Sequence, residues 1–248
     1  MTVQSMLSNL ANPQSFQKLA RVLIPILAVA AAALIGIGLV LGFRAPADYQ
    51  QGETVRIMYI HVPFAWLSLG AYAVMAIAAL GTLVWRHPLA DVAGKAAAEI
   101  GASFCFLCLV TGSLWGRPTW GTYWTWDPRL TSELVLFLLY LGVLALWRAV
   151  DDPGRAGRAA AVLALVGFVN IPIVKFSVNW WNSLHQQASV LRLDGPSIHA
   201  SMLTPLLVSA AGFFALFFAL QLGAMRNELL RRRVRTLRIL VAANNEAR

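Results

Sequence analysis

Charge is what this sequence has least of. Only 12% of its 248 residues are Asp, Glu, Lys or Arg, about half the share found in soluble domains, which is too few to solvate a water-facing surface of this size. A soluble globular enzyme is excluded. Cysteine is equally scarce: two residues cannot staple a disulfide scaffold. The 18 glycines follow no triplet period, which excludes collagen, and the 58% hydrophobic content excludes a disordered chain. A protein of the bilayer remains.

A hydrocarbon core about 30 Å thick needs roughly 20 apolar residues at about 1.5 Å each. Six such windows occur, over about 22–43, 63–85, 96–114, 128–147, 159–178 and 202–225. The first resembles a secretory signal, with Lys18 and Arg21 ahead of it and Ala45-Pro46-Ala47 after it. Its apolar run exceeds the roughly 7–15 residues of a signal peptide, so it reads as a retained span. Gly38 and Gly42 within it sit at GxxxG spacing, which favours close helix packing without implying a dimer.

Lys and Arg outnumber Asp and Glu by 20 to 11. In a membrane chain this excess reports orientation before it suggests nucleic acid. Fourteen basic residues fall on the side of the N-terminus, including the run from Arg226 to Arg248; six (Arg44, Arg56, Arg117, Arg129, Lys175, Arg192) fall on the other. The fold expected is therefore an all-α integral membrane protein, a single polytopic domain over 1–248 with both termini cytoplasmic. The tail 226–248 reads as a topology anchor on anionic lipid. No internal repeat or Pro/Ser-rich linker divides the chain.

The inner connections are short turns, whereas the outer ones hold the residues that bind ligands. Between the third and fourth spans, five of the twelve residues from Trp115 to Trp126 are aromatic, against about one at the chain-wide frequency. An interfacial belt draws one or two aromatics from each helix end. This is one dense loop, 115–129, punctuated by two Gly and two Pro, and it reads as a ligand platform. Asp127 before Pro128 carries the signature of a helix N-cap. Arg129 either pairs with Glu133 at i,i+4 or binds an anion.

Three of the four histidines lie on the outer side. A lone His is usually structural, but His61, before Pro63, and His185, in Trp180-Trp181-Asn182-Ser183-Leu184-His185, share one membrane face and each has Trp nearby. His199, at the start of the sixth span, and His87, on the inner side, read as structural. With no outer Cys and no His/Glu zinc spacing, a closed metal site is disfavoured. An aromatic floor, two imidazoles and several arginines suit haem: rings pack on porphyrin, neutral His ligates iron and Arg pairs with propionates. Cys105 and Cys108 form a CxxC, yet Leu109 stands where a haem-attachment motif needs His, so both read as buried core. Glu99 and Lys175, near span ends, are the ionisable residues a transporter would use.

The string from Trp115 to Leu136, with Trp120-Gly121-Thr122-Tyr123-Trp124-Thr125-Trp126-Asp127-Pro128-Arg129 at its centre, resembles the tryptophan-rich "WWD" signature of haem-handling proteins. The six spans, the single His before the second and the Trp-Trp-Asn-Ser-Leu-His loop resemble the CcmC family of bacterial cytochrome c maturation. The resemblance runs from about Tyr59 to about Met225. It implies that His61 and His185 are the axial ligands of haem iron on the periplasmic face of the inner membrane. It further implies that Trp115, Trp120, Trp124, Trp126 and Asp127 form the platform, and that Arg56 and Arg129 contact propionates. The haem b would be bound transiently. The partners implied are the periplasmic haem chaperone CcmE, the ATP-binding-cassette subunits CcmA and CcmB and the small protein CcmD.

The function expected is a haem-handling and transfer subunit rather than an enzyme, with any catalytic part in attaching haem to the chaperone left open. A permanent b-type electron-transfer subunit and a small-solute transporter are the alternatives. Nothing in the sequence brings His61 and His185 together.

Overall fold

The structure is a computed structural model that describes residues 12–246; Arg248 of the basic tail lies outside them. The helices are α1 Pro13–Arg44, α2 Met58–Leu83, α3 Ala90–Trp120, α4 Pro128–Ala149, α5 Pro153–Gly167, α6 Asn170–Trp180 and α7 Ala200–Glu246, with a 3-10 turn, Glu53–Ile57, leading into α2. Six stretches are long and apolar enough to cross a membrane, α5 and α6 together forming one. The all-helical, six-span architecture is thus as expected. The helices outrun their windows: α1 begins at Pro13, α3 continues through Trp120, so half of the tryptophan-rich stretch is helix, and α7 carries the basic tail onward to Glu246.

Local chemistry sets the ends. Asn12, Asp127 and Asp152 each stand before a proline at the first helical position and accept a backbone N–H, at 2.9, 2.9 and 2.7 Å. Gly121 ends α3 with φ +80, a left-handed conformation that Gly adopts without Cβ strain, and its N–H returns to the Arg117 carbonyl at 3.0 Å.

Internal prolines explain two further features. Pro63 cannot donate to the Tyr59 carbonyl, and Ser209 Oγ on α7 donates to that carbonyl instead, at 2.6 Å. The missing bond becomes a link between helices. Pro172 likewise cannot bond Phe168, and the fifth span breaks at 168–169 into α5 and α6.

The core lies where α2 to α5 meet, around the fully buried Leu67, Tyr72, Leu136 and Tyr140. Tyr140 Oη donates to the Ser68 carbonyl at 2.7 Å, and its ring packs on Tyr72 with centroids 5.0 Å apart. α1 rests on α7 through glycine: a Cβ on Gly38 would come within 2.6 Å of Ser209 backbone, and one on Gly212 within 2.6 Å of Ile35 N. A Cβ on Gly42 would collide with the Tyr59 ring. The GxxxG pair therefore serves packing within the chain.

The two ends of the bundle differ in character. At one, Lys95–Glu228 (2.9 Å), Arg232–Asp91 (2.8 Å) and Arg232–Glu228 (3.1 Å) clamp α3 to α7. At the other, the 45–57 connection, the 121–127 loop and the 181–199 loop gather over the helix ends. Gly212→Val should drive a side chain into α1 and lower stability by about 1–3 kcal/mol. Thermal unfolding in detergent checks this, with Gly36→Val, which meets nothing within 4 Å, expected to leave the melting temperature unchanged.

Candidate functional site

The loop end of the bundle encloses a cavity of about 580 Å³, within the roughly 300–1,000 Å³ of small-molecule sites. His61, on the first turn of α2, and His185, on the 181–199 loop, both line it. Residues 124 positions apart in sequence thus open onto one space.

Each imidazole has one nitrogen engaged. His61 Nδ1 lies 3.0 Å from Thr111 Oγ1 on α3. That hydroxyl already donates its single proton to the Leu107 carbonyl at 2.7 Å, so towards His61 it accepts. Nδ1 therefore carries the hydrogen and Nε2 presents a bare lone pair. His185 Nδ1 lies 3.0 Å from Asp127 Oδ1, and an ionised carboxylate only accepts, so here too Nδ1 donates and Nε2 is free. This is the tautomer a metal-ligating His adopts when its other nitrogen is held by an oxygen.

Asp127 does more than cap α4. Oδ1 accepts from Arg129 N (2.9 Å) and His185 Nδ1, while Oδ2 accepts from Ser183 Oγ (2.7 Å) and Leu184 N (2.9 Å). Its side chain is only 2% exposed. Burial raises its pKa, but the bonds from Ser183 and Leu184, the charge of His185 and the Arg129 amide outweigh that and hold the carboxyl below its ordinary value of 3.8. Burial likewise pushes His185 below 6.5; Asp127 opposes this in part, and Arg129 adds to it. His185 is neutral at pH 7.

The tryptophans divide into two groups. Trp115 and Trp120, on the last turns of α3, line the cavity and each meets one imidazole edge-on: Trp115 with His61 at 5.5 Å between centroids, Trp120 with His185 at 4.6 Å. Gly116 lets Trp120 fold back along the helix, since a Cβ there would stand 3.0 Å from its ring. Trp124 and Trp126 pack on one another at 5.6 Å outside the cavity lining, with Trp126 74% exposed.

The cations divide similarly. Arg129 lines the cavity, donates to the Lys175 carbonyl at 3.2 Å and keeps its Nε buried without a partner. The i,i+4 ion pair with Glu133 does not form; Glu133 instead takes the Cys105 thiol at 3.3 Å. Lys175 also lines the space. Arg56 does not: it pairs with Glu53 at 2.6 Å and lies over the Phe43 ring at 5.9 Å. Both cysteines are free and buried, with Cys108 on the cavity wall. His87 and His199 stand apart from the cavity lining, His199 bonding Ser201 Oγ beside it at 2.8 Å.

The pattern of the CcmC family, heme exporter protein C, matches residues 6–240. The chain belongs to the heme exporter protein C family. A heme exporter protein C of Bradyrhizobium diazoefficiens is 65% identical over 237 residues, which is 96% of this chain and 90% of the relative. That of Escherichia coli K12 is 51% identical over 225 residues, 90% of this chain and 91% of the relative. That of Paracoccus denitrificans is 44% identical over 238 residues, 96% and 98% of the two.

In this member of the heme exporter protein C family, several site residues escape sequence reasoning. Thr111 and Gly112 sit on α3 beside His61, and a Cβ on Gly112 would come within 2.9 Å of the His61 ring. Gln51 accepts from Trp115 Nε1 at 2.9 Å, held in place by the Asp48 turn. Trp66 joins the cavity wall from α2. Asp127→Ala removes an acceptor shared by four donors and should cost roughly 3 kcal/mol, since bonds to a buried carboxylate run at about 1.5–3 kcal/mol each and do not add fully. Limited proteolysis should show new cleavage within 181–199 in this variant.

Proposed function

We propose that this protein is a haem-handling subunit of cytochrome c maturation, which holds haem at the loop end of the bundle and passes it to a periplasmic carrier. Haem is its cargo. The observation that carries the reading is the pair of imidazoles with free Nε2 atoms opening onto one aromatic-walled cavity. Among the described residues, no group of three or more His, Cys, Asp or Glu side chains is placed to hold a bare metal ion. Two nitrogens suffice only for a metal that brings its own equatorial donors, as haem iron does. Binding of this cargo is an activity of capture and transfer rather than of catalysis.

His61 and His185 are the axial ligands, and Trp115 and Trp120 brace them while presenting ring surface to the porphyrin. Arg129, with an unpartnered buried Nε, supplies the first contact to a propionate. Arg56 can join by leaving Glu53, a partly exposed pair whose loss costs about 1 kcal/mol or less. Asp127 acts by positioning His185, and Trp124 and Trp126 form an outer rim that a carrier meets.

The orientation follows from charge: with basic residues concentrated at the opposite end, the cavity faces the periplasm across the bacterial inner membrane. The carrier is the chaperone CcmE, and CcmA, CcmB and CcmD are the membrane partners. Glu99 is exposed on α3 and does not line the cavity with Lys175, so the two do not form the internal charged path of a solute transporter.

His61→Ala and His185→Ala should each weaken haem retention by at least about tenfold and shift the spectrum away from bis-imidazole ligation. Purified protein that binds no haem, or keeps the wild-type spectrum with both histidines replaced, would sink the reading. Titration with haem-free carrier separates it from a b-type electron-transfer subunit: cargo leaves, whereas a resident cofactor stays. Because His185 resists protonation below 6.5, capture should stay level from mildly alkaline pH down to that value. It should weaken only on further acidification, as spectrophotometric titration at each pH would show.

A further inference from the structure

The two imidazoles that the proposed function rests on are held by unlike acceptors. His185 donates to a carboxylate, Asp127, which is buried and fixed by three further donors. His61 donates to a neutral hydroxyl, Thr111, whose own proton is spent on the Leu107 carbonyl. An anionic acceptor draws the Nδ1 hydrogen more strongly and leaves more electron density at Nε2 than a neutral one does. The Nε2 of His185 is then the stronger donor to iron.

We infer that Thr111 is a positioning residue that orients His61 as the weaker of two unequal axial ligands, so that His61 is the ligand that opens first when cargo departs. The supports for the two rings differ correspondingly. His61 rides a helix, its ring resting against Gly112, where a single added carbon would stand 2.9 Å from it. His185 rides a loop whose anchor is the carboxylate itself.

The His61 Nε2–iron bond breaks with its electron pair remaining on Nε2, and a nitrogen, oxygen or sulfur donor of the acceptor fills the vacated position. His185 leaves second. No proton or electron is transferred.

The test begins without haem. Nitrogen NMR of histidine-labelled, haem-free protein should show His61 protonated on Nδ1 in the wild type and in Thr111→Ser, and a mixture of tautomers in Thr111→Val. With haem bound, release to a haem-scavenging apoprotein should quicken about tenfold in Thr111→Val and stay near the wild-type rate in Thr111→Ser. His61→Gly should lose haem faster than the wild type, with added imidazole restoring six-coordination and slowing the loss, while His185→Gly should lose it at least about tenfold faster than His61→Gly. Equal losses from the two glycine variants, or Thr111→Val releasing haem at the wild-type rate with the wild-type tautomer, would overturn the inference while leaving the haem-handling role standing. Haem binding indifferent to both histidines would overturn that role as well.

Discussion

Two oxygen atoms of one carboxylate tie the outer end of this bundle together. Asp127 starts α4, fixes the Ser183–Leu184 segment and orients the His185 ring, and each of these draws on the same buried charge. A carboxylate so deeply buried is stable only because donors surround it, and the donors are ordered only because the carboxylate is there. Helix start, loop path and ligand orientation are thus one cooperative unit. The loop over 181–199 has little regular structure of its own, and without this anchor nothing comparable would direct His185 into the cavity.

The other half of the site uses helices in place of a loop. His61 depends on α2 being helical through Pro63, on Ser209 accommodating the carbonyl that Pro63 leaves free, and on α3 offering Thr111 and Gly112 at the correct height. Each wall is therefore secured by its own buried polar bond, and the aromatic rings fill the space between them. Trp115 and Trp120 come from the final turns of α3, where Gly116 and Gly121 give the backbone the freedom to fold one ring back and then end the helix.

Much of this is legible in the sequence alone. Apolar runs of bilayer length located the six spans, and Asp-Pro announced the start of α4, because both signals are local. The association of His61 and His185 with tryptophan was visible as composition. Their separate pairings with Trp115 and Trp120 were not, since those depend on how α2, α3 and the last loop converge. Thr111, Gly112 and Gln51 gave no signal: a threonine, a glycine and a glutamine become significant only through a neighbour some 50 or more residues away. The 115–129 stretch read as a loop because it is rich in Gly and Pro, yet α3 runs through Pro118, whose ring needs only the loss of one bond near a helix end. The pairing of Arg56 with Glu53 gave no signal either, since it depends on the 3-10 turn that sets the two residues on the same side.

α7 acts as a ruler for the whole molecule. Its 47 residues extend about 70 Å, whereas a bilayer with its headgroups is about 40–45 Å deep. Counting from Ala200 at the cavity end, the helix has used that depth by about the ion-paired clamp at Glu228 and Arg232. The turns carrying Arg235 and Arg238 are accordingly surplus to a bilayer-spanning length, a basic extension that continues about 20 Å past that clamp.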